Sequence, residues 1–299
     1  MNHSARRQRP TLGVVAIAKN EERDMPGFLD HLLPWVDEIV IVDDGSTDRT
    51  AEIVAAAGGK VRLLSRRMSE EGGFAQQRNV GIESARSDWL LHMDIDERVT
   101  PQLAAEITLA IAEERGNAFR YRRLNFFLHR PMNAGGWQHW NKPQLARRGA
   151  HRFVGVVHEE CMIEGGARCI GQLAAAMWHL NDEDYTERVR KNARYMQMTG
   201  DGLLARGRKI RWYHLLVIPL WRALRAYLLE GAFRLGTRGL LFSVYTFSSV
   251  FNWYAYEWDK QNRIERDELE AELARQWRAA SGTTAAPEVR TLGCPLKES

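Results

Sequence analysis

The sequence predicts an α/β protein built on a mostly parallel, Rossmann-like sheet with helices on both faces. In the first hundred residues, apolar runs rich in β-branched residues alternate four times with segments of helical character, a pattern that favours parallel strands joined by helical crossovers. The runs are continuously apolar, as expected of strands buried on both faces. Of the 299 residues, 44% are hydrophobic and 27% are charged, which is typical of a globular chain and excludes a disordered or fibrous one.

The expected elements of this first part follow from apolar spacing, caps and breaks. Short apolar runs bounded by polar residues predict strands, and apolar residues at i, i+3, i+4 and i+7 predict a helix. The predicted strands are Leu12–Ala18, Glu38–Asp43, Val61–Leu64 and Trp89–Met93. The predicted helices run from Met25 to Leu32, from a cap at Ser46 to Ala57, from Phe74 to Ala85, and onward from the cap and proline at Thr100-Pro101.

The middle of the chain has shorter elements. Between residues 117 and 180, short apolar runs are separated by glycines, which predicts extended segments that continue or flank the sheet. The runs are 118–124, 152–157 and 175–180, and a helix is expected over 185–198.

The C-terminal part is basic and aromatic. Between Arg206 and Arg238 there are eight Lys or Arg residues and one acidic residue, Glu230. An apolar stripe at helical spacing is formed by Val217, Leu220, Trp221, Leu224 and Leu228. Residues 239–256 carry no charge but include several hydroxyl side chains, so they are a poor membrane span. We expect an amphipathic helix pair lying at a membrane surface; ordinary packing on the main domain and a true span are the alternatives. A charged helix over 265–280 and a loose tail over 281–299 complete the chain.

Acidic side chains follow three predicted strands at the point where each strand ends. They lie in Lys19-Asn20-Glu21, Asp43-Asp44 and Asp94-Ile95-Asp96. In an open α/β sheet the carboxyl ends of the strands form the ligand-binding edge, so we expect these groups to converge on one crevice. Paired carboxylates there suit a hard divalent cation, Mg²⁺ or Mn²⁺, and such a cation suits a diphosphate. The alternative is a turn in which the aspartates cap the next segment.

Further candidate residues have both a functional and a structural interpretation. Asp43 or Asp44 could accept hydrogen bonds from a base or a ribose, whereas capping alone explains Ser46 and Asp48. Arg78 could meet a phosphate or base of a substrate, or could simply be an exposed helical arginine.

Two later positions also have both a functional and a structural interpretation. Glu159 or Glu160, after an extended run, could be the general base of a transferase or part of a solvated acidic turn. His179 could be an extra metal ligand, although a packed or hydrogen-bonded histidine is the favoured interpretation. Cys161 and Cys169 lack the spacing of a zinc site.

Composition and the first residues predict the class of partner and the cellular compartment. The net charge of +4 is mild for a protein that binds nucleic acid, so no nucleic-acid partner is expected. Three cysteines form no disulfide framework, and the basic, polar N-terminus is not followed by the apolar core of a signal peptide. We therefore expect a cytoplasmic protein.

Four segments in combination carry a resemblance to a known family. Residues 14–21 (VVAIAKNE), 41–50 (IVDDGSTDRT), 74–81 (FAQQRNVG) and 89–98 (WLLHMDIDER) resemble family 2 glycosyltransferases of the GT-A fold. Later segments, among them Gly135-Gly136-Trp137, Val157-His158-Glu159 and Trp178-His179-Leu180, look like the lipopolysaccharide-core glucosyltransferase-like branch. The resemblance covers about residues 11–258.

The resemblance implies an inverting transfer from a nucleotide-sugar, usually UDP-linked, to a hydroxyl of a lipid-linked or lipopolysaccharide glycan. It implies a GT-A domain over 11–200, with a nucleotide-sugar half at 11–116 and an acceptor half at 117–200, and a helical membrane-surface region at 201–280. An anionic membrane surface on the inner face of the cell membrane is the expected partner. The implied roles are nucleotide binding for Asn20, Glu21, Asp43 and Asp44, a ribose or sugar contact for Asp94, metal binding for Asp96 with Asp94, and the catalytic base for Glu159.

Two other functions share some of these sequence features. A phosphatase of the haloacid-dehalogenase type also carries a DxD motif, but on its first strand and with Thr or Val where this chain has Arg98. A membrane-surface adaptor that binds a nucleotide-sugar without turning it over is the non-enzyme alternative.

Overall fold

The computed structural model describes residues 9–69, 72–113, 116–155, 159–182, 184–204 and 209–281. Its strands are β1 (Leu12–Ala18), β2 (Glu38–Asp43), β3 (Val61–Ser65), β4 (Trp89–Asp94), β5 (Glu97–Arg98), β6 (Ala118–Phe127), β7 (Arg130–Pro131), β8 (Asn141–Arg147), β9 (His151–Val154), β10 (Glu160–Ile163) and β11 (Ile170–His179). Its α-helices are α1 (Met25–Leu32), α2 (Thr50–Ala56), α3 (Gly73–Ser84), α4 (Pro101–Ala112), α5 (Tyr185–Leu204), α6 (Trp212–Leu224), α7 (Thr237–Asn262) and α8 (Arg266–Ser281).

The first four strands form the parallel half of a nine-stranded sheet, in the order β3-β2-β1-β4. The inner strands β1, β2 and β4 are almost entirely buried, whereas β3 at the edge is only half-buried. Helices pack on both faces, because a continuous apolar run is stable only when both faces of the strand are covered. The α/β fold expected from the sequence is thereby confirmed.

The second half of the sheet is mixed. β8 pairs antiparallel with both β4 and β6, β11 runs parallel to β6, and the short β5 pairs antiparallel with β11 at the far edge. β9 and β10 form a separate hairpin. Residues 156 and 157 of the predicted extended run 152–157 lie outside the described residues, as does His158 of the motif that follows it.

Of two predicted helix caps, one is present in the structure and the other is not. Thr100 caps α4 as predicted, because its hydroxyl accepts the N–H of Leu103 at 3.2 Å. The predicted cap at Ser46 is wrong, because α2 begins only at Thr50. The Ser46 hydroxyl instead donates to Asp43 at 2.5 Å and accepts the N–H of Asn20 at 2.8 Å, so it ties two loops together.

The C-terminal helices pack on one another and on the end of β6. α6 and α7 lie side by side, α7 also contacts α5, and Phe242 joins Phe127 and Met132 in a small separate core. Gly239 allows α7 to approach the preceding turn, since a Cβ there would lie 1.8 Å from the Ala232 carbonyl oxygen. Among the described helices, none combines the length and apolar character that crossing a membrane requires.

Candidate active site

The acidic side chains at the ends of β2 and β4 share one edge of the sheet. Strand β1 lies between them, with Ala18 opposite Asp43 and Ile17 opposite Asp94. The Asp44 N–H continues this edge by donating to the Ala18 carbonyl at 2.8 Å. Because neighbouring strands are about 4.8 Å apart, the two acidic strand ends are separated by roughly 10 Å, a distance that a nucleoside diphosphate can bridge.

The loops at this edge are held by their own side chains. Asn20, which has a φ of 57°, accepts the N–H of Thr47 at 2.7 Å. Asp43 is 3% exposed and accepts the backbone N–H groups of Gly45 and Ser46 at 3.1 and 3.0 Å. In the structure, Asn20 and Asp43 therefore shape the crevice through contacts with the loop backbone.

Asp44 has a different environment from Asp43. Its two oxygens accept from the Lys19 ammonium at 2.7 Å and from the Met68 N–H at 2.6 Å. Burial would raise the pKa of Asp44, but these two hydrogen bonds outweigh it and lower that pKa. Asp44 is thus an ionised acceptor at the edge of the sheet.

Asp94, Asp96 and His179 form a cluster at the end of β4. Each offers one ligand atom, and these atoms lie within 4.8 Å of one another. The His179 Nε2 atom is 3.2 Å from an Asp96 oxygen. The sequence favours a packed or hydrogen-bonded histidine at this position. The structure shows a hydrogen-bonded ring, with Nδ1 2.7 Å from the Asn125 Oδ1 atom, and also places the ring beside both aspartates.

Arg78 connects the DxD segment with Glu159. Its guanidinium donates to Asp94 at 2.7 Å and to Glu159 at 3.2 Å, and it lies 5.5 Å from the Phe153 ring centre. Only 4% of Arg78 is exposed, so the interpretation as an exposed helical arginine is wrong. Glu159 is half-buried beside this cation, whereas the neighbouring Glu160 is exposed on β10.

Opposite charges set the ionisation of Asp94. Burial would raise its pKa, but the charges of Arg78 and Arg123 outweigh that effect and lower it to about 2. Arg123 on β6 also pairs with the buried Glu97 at 3.1 Å and stacks over Trp140 at 4.4 Å. The pKa of Glu97 is raised by burial and by the charge of Asp94.

The pKa of Glu21 is shifted in the direction opposite to that of Asp94. Burial and the charges of Asp96 and Asp24 raise its pKa from 4.5 to about 7, against the attraction of Lys191. Since Asp96 and Lys191 both act on Glu21, the end of β1 lies close to the DxD segment and to α5.

Sequence reasoning did not find several residues of this site. Arg123, Glu97 and Asn125 lie next to the cluster, and Lys191 on α5 binds Asp182 at 3.3 Å and the Asn181 carbonyl at 3.1 Å. One signal was available: a strand such as β6 that carries arginines among apolar residues indicates buried ion pairing.

Comparison with known proteins indicates the family to which the N-terminal half is similar. The family model described as glycosyl transferase family 2 matches residues 13–161, which contain β1–β4, the DxD segment and Glu159. Residues 13–161 of the chain belong to glycosyl transferase family 2. The resemblance of the four N-terminal segments is thereby confirmed, and with it the GT-A class of the fold.

Related proteins match most of the length of this chain. The lipopolysaccharide core biosynthesis glycosyltransferase LpsC of Rhizobium meliloti is 27% identical over 237 residues, which is 77% of this chain and 85% of the relative. An uncharacterized glycosyltransferase of Rickettsia typhi, RT0209, is 23% identical over 246 residues, 78% of this chain and 82% of the relative.

Solved structures resemble the chain more distantly. Residues 1–349 of S. aureus TarS are 16% identical, with a TM-score of 0.42 and coverage of 84% of this chain and 91% of the other. Glucosyl-3-phosphoglycerate synthase from Mycobacterium tuberculosis, in complex with Mn²⁺ and UDP-glucose, is 16% identical, with a TM-score of 0.41 and coverage of 60% and 73%.

Proposed function

We propose that this glycosyltransferase moves a sugar from a UDP-linked donor, with inversion, to a hydroxyl of a lipid-linked or lipopolysaccharide-type glycan. The observation that carries the proposal is the joining of Glu159 to Asp94 through one buried guanidinium, beside the Asp94–Asp96–His179 cluster. This arrangement brings a candidate base next to a candidate diphosphate site. We also propose that residues 11–116 are the donor half and residues 117–200 the acceptor half.

The cluster fits a divalent cation by the chemistry of its donors. Two carboxylates and an imidazole suit Mn²⁺, and the carboxylates also suit Mg²⁺. When bound, such a cation would neutralise charge on the diphosphate of the leaving group. Asp94, Asp96 and His179 are the proposed ligands, and Asp44, Glu21 and Asn20 are proposed to line the nucleotide pocket.

The transfer itself needs one base and no protein nucleophile. Glu159 accepts the proton of the acceptor hydroxyl, whose oxygen attacks the anomeric carbon from the face opposite the diphosphate. The new C–O bond forms as the bond to the diphosphate breaks, and the bonding electron pair leaves with UDP. Arg78 holds the Glu159 carboxylate through its Nε at 3.2 Å and thereby orients the base.

The acceptor class is proposed from the relatives and from the C-terminal surface. LpsC acts in lipopolysaccharide core biosynthesis, as its name states, and such acceptors are attached to lipid. Large apolar side chains are exposed along α6 and α7, which favours contact with a membrane surface. They are Trp212, Tyr213, Leu216, Val217, Leu220, Trp221, Leu224, Leu240, Leu241, Val244 and Phe251.

Charge indicates which surface these helices meet. Arg222, Arg225, Arg234 and Arg238 accompany the apolar side chains, and the nearby Glu230 is paired with Arg225 at 3.0 Å. Cations beside an apolar face favour anionic lipid. We propose that the protein binds peripherally to the inner face of the cell membrane, where a lipid-linked acceptor is accessible.

Product formation tests the proposal most directly. The full chain is incubated with a panel of sugar nucleotides, Mn²⁺ and lipopolysaccharide-type acceptors, and transfer is followed by mass spectrometry. Glu159→Gln should keep UDP affinity while turnover falls by about 100-fold or more, and Glu160→Gln is the matched control. Donor binding without any transfer would favour the adaptor instead, and full activity of Glu159→Gln would assign the base elsewhere.

A further inference from the structure

We propose that Asn125 is a positioning residue that fixes His179 as an Nε2 ligand of the metal site. This inference rests on the cation site of the proposed function. Asn125 on β6 lies directly opposite His179 in the parallel β6–β11 register, and the Asn125 Oδ1 atom is 2.7 Å from the His179 Nδ1 atom. Asn125 is only 5% exposed, so solvent does not compete for this contact.

The orientation of the Asn125 amide is decided by its second contact. Its Nδ2 group donates to the backbone carbonyl of Trp137 at 3.2 Å. A backbone carbonyl can only accept, so the nitrogen of the amide must face Trp137 and the oxygen must face His179. The Trp137 carbonyl thus decides which end of the Asn125 amide faces His179.

The tautomer of His179 follows from that orientation. Because the Asn125 oxygen can only accept, the His179 Nδ1 atom must carry the proton. The Nε2 atom of the neutral ring is then unprotonated, and its lone pair faces an Asp96 oxygen at 3.2 Å, a contact between two acceptors that a bound cation would make favourable. This is the state in which an imidazole binds a cation, and partners on the opposite ring nitrogen usually set it.

The same contacts extend to the C-terminal helices. Trp137 packs edge-on against Phe242 of α7, with ring centres 4.8 Å apart, and against Phe127 at the end of β6. The carbonyl that orients Asn125 therefore belongs to a segment held by α7. Asn125 is the connection between this packing and the ring of His179.

The tautomer can be measured without any metal. Long-range ¹H–¹⁵N NMR of the full chain, labelled at histidine, is recorded at rising pH until the His179 signals are those of a neutral ring, and a His179→Gln sample assigns the signals. We expect the Nδ1–H form for His179 in the unsubstituted chain and in Asn125→Asp, which keeps an oxygen beside the ring. Asn125→Leu should shift the population toward Nε2–H. A predominant Nε2–H form in the unsubstituted chain would overturn the proposal.

Metal binding provides the second measurement. Mn²⁺ alone is titrated into the full chain, and the free ion is followed by EPR. Asn125→Leu should weaken Mn²⁺ binding by about 10-fold or more, as loss of an outer-shell partner usually does. Asn141→Leu, which removes a 2.9 Å side-chain bond to Gln172 in the same sheet, should not.

A double substitution separates positioning from a general structural effect. In a His179→Ala background, Asn125→Leu should cause no further loss of Mn²⁺ affinity, since it has no ring left to orient. An equal loss in both backgrounds would overturn the proposal, and so would unchanged affinity in a folded Asn125→Leu variant. If the unsubstituted chain does not bind Mn²⁺, this inference and the metal site fail together, while sugar transfer is judged separately by product formation.

Discussion

The parallel half of the sheet and the region from β6 to α7 position their functional side chains in different ways. In the parallel half, side chains at strand ends are held by adjoining loops, as when Asn20 accepts the N–H of Thr47. In the second region, side chains are held by partners on neighbouring strands, as when Asn125 binds His179. The proposed donor edge is therefore held by loops, whereas His179 of the proposed metal site is held by a partner across the sheet.

The largest expected effect comes from a residue at the boundary between these two regions. Asp96→Ala removes a carboxylate from the cluster, so we expect Mn²⁺-dependent UDP binding to be lost and turnover to fall by about 1000-fold. Isothermal titration calorimetry with UDP, with and without Mn²⁺, measures the first effect. Asp30→Ala, at an exposed carboxylate on α1, is the control. Unchanged Mn²⁺-dependent affinity would remove Asp96 from the metal site.

This contrast also explains what could be predicted from the sequence. The strands and helices of the parallel half follow from local periodicity, and the position of Asp44 and Asp94 at one edge follows from parallel topology. Arg78 could not be placed, because its burial depends on Glu159, 81 residues away. The partner of His179 could not be predicted either, because Asn125 is 54 residues away.

The register of β11 against β6 explains why the contact between His179 and Asn125 could not be predicted. β6 and β11 pair in parallel with an irregularity between Gln172 and Ala176, and a shift of one residue would turn His179 to the opposite face of the sheet. No local pattern specifies such an irregularity. The start of α2 was misplaced for a related reason, since Ser46 uses its hydroxyl for a loop contact with Asp43 instead of a helix cap.

Two glycines test how tightly each region is packed. A Cβ on Gly81 would lie 2.3 Å from a methyl group of Val15, and one on Gly239 would lie 1.8 Å from the Ala232 carbonyl oxygen. We expect Gly239→Ala to lower the free energy of unfolding by about 3 kcal/mol and Gly81→Ala by about 2 kcal/mol, because a side chain yields more easily than backbone. Urea denaturation followed by circular dichroism measures both.

Gly59→Ala is the matched control for these substitutions. Nothing lies within 4 Å of a Cβ at Gly59, so its free energy of unfolding should change by less than about 0.5 kcal/mol. If Gly239→Ala proved as mild as this control, α7 would not be packed closely against its preceding turn.

We expect the two regions to differ in how strongly their exposed apolar residues bind a membrane. Trp212 and Trp221 on α6 are 70% and 55% exposed, and replacing both by Ser should weaken binding to anionic vesicles by about 10-fold, because apolar area is removed from the interface. Sedimentation with vesicles measures the effect, and high salt should release the unsubstituted chain. Leu109→Ser, at a 62% exposed residue on α4, is the control. Equal effects of both substitutions would contradict a specific membrane surface on α6.

The last prediction concerns the pH dependence that Glu21 adds to stability. Burial and the charges of Asp96 and Asp24 raise its pKa from 4.5 to about 7 in the folded chain. Between these two values the folded state holds a proton that the unfolded state has lost, so the free energy of unfolding falls as the pH rises through this window. Above the window Glu21 carries an unfavourable charge beside Asp96.

Glu21→Gln keeps the neutral form at every pH and should remove this dependence. Near pH 5 the variant and the unsubstituted chain should differ little, whereas near pH 8.5 the variant should be more stable by about 2 kcal/mol, a value reduced for the partial exposure of Glu21. Urea denaturation at both pH values, in EDTA so that no cation offsets the charge, measures the difference. Glu52→Gln, at a 74% exposed side chain on α2, should show no such change. If the stability difference between Glu21→Gln and the unsubstituted chain did not change with pH, folding would not raise the pKa of Glu21.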